Sequence, residues 1–68
     1  MLLGERLKEL RLESNLTQEE LGKKVYVTKV SICCYEQGTR IPGLEILIDL
    51  ANVFEVSLDY LVGRVDQR

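Results

Sequence analysis

The stretch TQEELGKKVYVTKVSICCYEQG, residues 17–38, decides the fold. Thr17 is followed three residues later by Glu20, the spacing of a capping box. In that motif a hydroxyl and a carboxylate each satisfy an orphan backbone N–H at a helix start. Leu21 and Val25 lie four apart and make the inward face of this helix. Thr28 then offers a second N-cap hydroxyl, so close behind that the link allows only a sharp change of direction. Ile32 and Tyr35 form the inward stripe of the next helix, and Gly38 stands where a left-handed glycine would end it. Two short helices at a steep angle, the second with its outer face free, have the outline of a unit that enters a DNA major groove.

Working outward, the pattern predicts three more helices. The first runs from about Leu2 to Ser14, with Leu3, Leu7 and Leu10 on one face and charges on the other. Asn15 and Leu16 link it to the second. Residues 39–43, TRIPG, form a loop, because Pro42 disfavours helix at Ile41 and Gly43 is a plain N-cap. A fourth helix spans Leu44 to about Phe54, its stripe made of Leu47, Leu50, Ala51 and Phe54. Ser57 caps a short fifth helix, LDYLV, that stops at Gly63. RVDQR is expected to fray. Residues 1–68 therefore read as one all-α, compact five-helix domain with a core over 4–63 and a motif over about 18–37.

Composition narrows the class. At 46% hydrophobic and 29% charged residues, the chain is that of a globular domain rather than a disordered tail. It lacks both the roughly 20-residue apolar run of a membrane span and the leader pattern of a secreted protein. Two adjacent cysteines make no disulfide framework, which places the expected home in a reducing cytoplasm. Net charge is −2, yet its distribution is uneven. Residues 23–43 carry Lys23, Lys24, Lys29 and Arg40 against Glu36, a local +3. Residues 44–68 carry Glu45, Asp49, Glu55, Asp59 and Asp66 against Arg64 and Arg68, a local −3. Such a dipolar domain can turn its basic side to phosphates.

The ordered set ERLKELR, TQEEL, V-x-x-x-SI, YE-x-G-x-R-x-P and VSLDYLVG resembles the lambda-repressor-like helix-turn-helix family, also called the Cro/repressor or XRE family. The resemblance covers nearly everything from Gly4 to Gly63. It implies that Gln18 bonds a DNA phosphate and braces a recognition helix of residues 29–37. Lys29, Val30, Cys33 and Cys34 would meet base edges, with Thr28 and Ser31 near the backbone. Thr39 and Arg40 would follow the sugar-phosphate beyond the groove. Arg11 and Glu36 match a pair that clamps the first helix to the third. Where the family commonly has glycine in the turn, this chain has Tyr26. Of the reading positions only Lys29 is a strong donor, suited to a guanine, while Val30 suits a thymine methyl.

The implied function is that of a transcriptional regulator binding double-stranded DNA. Val53, Val56, Leu58, Tyr60, Leu61 and Val62 exceed what a short helix can bury and are expected to form a homodimer interface. A two-fold dimer would span a pseudo-palindromic operator. A second reading is a protein-interaction module, such as an antitoxin or scaffold component. An enzyme is not expected, since the chain has no histidine, nucleophile–base pair or glycine-rich phosphate loop. Neither cofactor, metal nor small-molecule ligand is expected. A bridge between Cys33 and Cys34 would break the helix, because consecutive Cα atoms lie about 3.8 Å apart, below the usual disulfide range.

Overall fold

The computed structural model describes residues 2–68. Its helices are α1 (Leu3–Glu13), α2 (Gln18–Lys24), α3 (Lys29–Gln37), α4 (Leu44–Phe54) and α5 (Leu58–Val62), with no strand among the described residues. Five of the boundaries have a local cause in a capping side chain or a left-handed glycine. Thr17, Thr28 and Ser57 accept the backbone N–H of Glu20, Ser31 and Tyr60. Glu20 returns the bond to the Thr17 N–H at 2.9 Å, which completes the capping box. Gly38 and Gly63 end α3 and α5 at φ of 80° and 92°, where a side chain is disfavoured.

One core joins all five helices. Leu7, Leu21, Ile32, Leu50 and Leu61 are its fully enclosed side chains, one from each helix. Leu3, Leu10, Val25, Tyr35, Ala51 and Tyr60 surround them. The predicted stripe of α4 is buried at Leu50 and Ala51 and half-buried at Leu47 and Phe54. Helices α1 and α3 approach very closely. A Cβ placed on Gly4 would stand 2.4 Å from the Glu36 carbonyl oxygen and 2.8 Å from that of Tyr35. Gly4 is thus the contact that sets the spacing of α1 and α3.

The turn before α3 runs through Tyr26 at φ 62°, with its side chain 92% exposed. A left-handed backbone at a non-glycine residue costs about 1–2 kcal/mol, and this phenol recovers little of it by packing. Tyr26→Gly is expected to raise stability by up to about 1 kcal/mol, the strain relief less the added freedom of the unfolded chain. Urea unfolding checks this as a higher midpoint at unchanged slope.

Two expectations are corrected. Residues 64–68 are not frayed. The Arg6 guanidinium donates to the carbonyls of Tyr60 and Val65 and pairs with Asp66 at 3.2 Å. Arg68 pairs with Glu13 at 2.7 Å and Glu9 at 3.3 Å, and its carbonyl accepts the Ser57 N–H. Both guanidiniums lie over the Tyr60 ring, at 4.2 and 5.6 Å from its centroid. The second correction concerns the interface set. Leu61 is 0% and Tyr60 7% exposed, so both are spent on the domain's own core and are not open to a partner. Val53 and Val56 pack partly against that core, and Leu58 and Val62 are half-buried.

Candidate nucleic-acid interface

The site begins with the junction of α2 and α3. Gly22 lies against the turn so closely that a Cβ there would be 2.6 Å from the Val27 carbonyl oxygen. This lets the chain reverse after Val25 and bring the start of α3 beside the start of α2. Val27 donates its N–H back to the Gly22 carbonyl at 2.9 Å, closing the turn.

A buried ion pair then locks α3 to α1. Arg11 Nε donates to Glu36 Oε2 at 2.6 Å and its Nη2 to Oε1 at 3.2 Å. The two side chains are 10% and 4% exposed. Arg11 Nη1 donates to the Leu16 carbonyl at 2.9 Å, so the same guanidinium also ties down the α1–α2 link. Glu36 Oε1 takes one more donor, Gln18 Nε2, at 3.1 Å. The pair expected from sequence is therefore a three-residue network, and Gln18 belongs to it. The bidentate fork satisfies both charges where water has little access. It also cancels the Glu36 carboxylate, which would otherwise repel an approaching anion.

Above this network lies the outer surface of α3. Lys29 and Val30 are exposed, while Ser31, Cys33 and Cys34 are half-buried. Both thiols are free. Gln18 and Lys29 line one cleft with Arg11, Thr17 and Glu19. On the opposite flank, Thr28 Oγ1 donates to Ser31 Oγ at 3.2 Å and Arg40 Nη1 donates to the same oxygen at 3.3 Å. Arg40 also lies 5.8 Å from the Tyr35 ring centroid. Thr39 bonds back through both its N–H and its hydroxyl to the Cys34 carbonyl, at 3.0 and 3.3 Å. The loop after α3 is thereby folded onto the helix it follows.

The structure thus brings Gln18 and Lys29 to one cleft, Thr28 and Arg40 to Ser31, and Thr39 to Cys34, while Val30 and Cys33 share α3 with them but bond to none of the others through their side chains. Sequence reasoning missed the Gln18–Glu36 and Ser31–Arg40 bonds, which join residues 18 and 9 positions apart. It also missed an apolar group, Ile41, Leu44 and Ile48, that is 69%, 64% and 43% exposed. The i, i+4 spacing of Leu44 and Ile48, off the core stripe of α4, was the available signal. Among the described residues, no group of three or more cysteine, aspartate or glutamate side chains could hold a metal ion.

Comparison with known proteins agrees with this architecture. A helix-turn-helix family model matches residues 7–61. The HTH-type transcriptional regulator ImmR of Bacillus subtilis is 39% identical over 64 residues, which is 94% of this chain and 50% of the relative. The cryptic phage CTXphi transcriptional repressor RstR of Vibrio cholerae is 34% identical over 64 residues, 94% of this chain and 57% of the relative. The chain spans about half the length of the curated relatives it matches. Among solved structures, the P22 c2 repressor protein in complex with a synthetic operator superimposes with a TM-score of 0.85 at 36% identity. That match covers 90% of this chain and 92% of the repressor's. Five helices in this order, the Arg11–Glu36 lock and these matches together place the chain in the lambda-repressor-like helix-turn-helix family.

Proposed function

We propose that this domain is a repressor-like transcriptional regulator that binds double-stranded DNA by seating α3 in the major groove. The observation that carries the reading is the outer face of α3, free of other helices and flanked by Gln18 and Lys29 on one side and Arg40 on the other. Gln18, Thr28, Ser31, Thr39 and Arg40 are assigned to the backbone, and Val30, Cys33 and Cys34 to the base edges. Phosphates then supply most of the affinity, and a mostly apolar reading face supplies limited specificity. The relation to an operator-bound repressor at 36% identity supports this role. The role is one of binding rather than catalysis, in the cytoplasm, and the 68 residues act as a single domain. No helix among the described residues is long and apolar enough to cross a membrane.

The binding form is a homodimer on a pseudo-palindromic operator. Its contact surface draws on the half-buried Val53, Val56, Leu58 and Val62, with Tyr60 and Leu61 supporting it from within. Selection from random duplexes tests the reading as a whole. The expected result is an enriched inverted repeat with half-site centres about 34–36 Å apart along the duplex, bound with steep salt dependence. Recovery of no preferred duplex, together with salt-insensitive binding, would sink it. Enrichment of a single half-site would remove the dimer alone.

A further inference from the structure

The outer surface of α3 has two kinds of sector. Lys29 and Glu36 are seven residues apart, close to two full turns, so they fall on one side of the helix. Glu36 is the residue that holds Gln18 at 3.1 Å, and Lys29 accordingly shares the cleft of Gln18, an opening of about 530 Å³ between the starts of α2 and α3. Val30, one residue on, is rotated away by about 100° and stands in the outward sector. Cys33 and Cys34 lie one turn further along that sector.

The charges around this cleft decide what it suits. Arg11 is spent on Glu36 and the Leu16 carbonyl, so the floor carries a neutralised pair. Gln18 is neutral and has given one of its two amide N–H groups to Glu36, leaving the second to donate. Glu19 stands at the rim and is held by Lys23 at 3.8 Å. Lys29 is exposed, and among the described residues no carboxylate pairs with it. A lone ammonium lining the same cleft as a free amide N–H matches a phosphate, which accepts several donors and asks no fixed fork of them.

We infer that Lys29 is a phosphate ligand that works with Gln18, in place of the guanine contact expected from its position at the helix start. The inference rests on the DNA-binding role proposed above and refines it. Sequence preference then falls to Val30, Cys33 and Cys34, none of which offers a bidentate hydrogen bond.

Fluorescence anisotropy on a selected operator and on an unrelated duplex of equal length, between roughly 50 and 200 mM salt, tests the assignment. Lys29→Ala is expected to weaken both duplexes by the same factor and to lower the salt slope by about 0.9, one phosphate's worth. Lys29→Arg, which keeps the charge, retains the slope. A repeat selection with Lys29→Ala returns the same base preferences. Loss of preference at one base pair with the slope unchanged would overturn the inference and leave DNA binding intact. If the unsubstituted chain binds neither duplex in a salt-dependent way, the DNA-binding role has failed and the assignment goes with it.

Discussion

Glu36→Ala is expected to remove about 3–5 kcal/mol of folding stability, the range for breaking a buried pair by deleting one partner. A 68-residue domain has roughly 3–10 kcal/mol in all, so this variant sits at the edge of unfolding. The cause is Arg11, left 8% exposed and charged with only the Leu16 carbonyl for company. Gln18 loses its anchor as well, so DNA affinity falls further than stability alone would dictate. A second variant separates the two effects. Arg11→Met combined with Glu36→Leu removes both charges and is expected to recover most of the stability, while affinity remains low because Gln18 stays unbraced. Urea unfolding and duplex titration on the three proteins check this. A single variant as stable as the parent would show that the pair contributes nothing to holding α1 against α3.

Leu61→Ala is expected to cost about 2–5 kcal/mol, as for other enclosed leucines whose loss leaves a cavity. Leu61 is fully buried with Leu7, Leu21, Ile32 and Leu50, so truncation opens a void at the meeting of helices. The comparison of interest is Val62→Ala, one residue on and half-buried. It is expected to change monomer stability by less than about 1.5 kcal/mol and to act chiefly on self-association. Thermal unfolding and sedimentation equilibrium distinguish the two. If Leu61→Ala dissociated a dimer and left unfolding unchanged, the placement of Leu61 in the core would be refuted.

The helices were legible in the chain because their signals are local. Thr17 with Glu20, Thr28, Ser57, Gly38 and Gly63 act on backbone groups within three or four residues of themselves, and the three hydroxyls start helices and the two glycines end them where the pattern placed them. The inward stripes of α1, α2 and α3 follow from helical periodicity in the same way. The candidate interface was legible mainly through the resemblance of ordered motifs, since no single residue on α3 announces a groove reader. Its supporting bonds were not. Nothing in the neighbourhood of Gln18 indicates that Glu36 will hold its amide, and nothing near Arg40 indicates that it will lie back toward Ser31.

The fate of the apolar C-terminal residues shows the same limit. Six of them on or beside one short helix suggested a surplus for a partner, but the count says nothing of which face meets α1. Arg6 and Arg68 reach the Tyr60 ring from residues 54 and 8 positions away, and they convert an expected loose tail into a clasp. By itself the sequence determined five helices, three of them capped by Thr17, Thr28 and Ser57, their inward stripes and the sharp turn through Tyr26. Only the tertiary structure decided which side chains the core consumes, which charges cancel, and which cation remains free beside Gln18. The reason is that caps and periodicity are set by near neighbours along the chain, whereas burial and charge pairing depend on how distant helices cross.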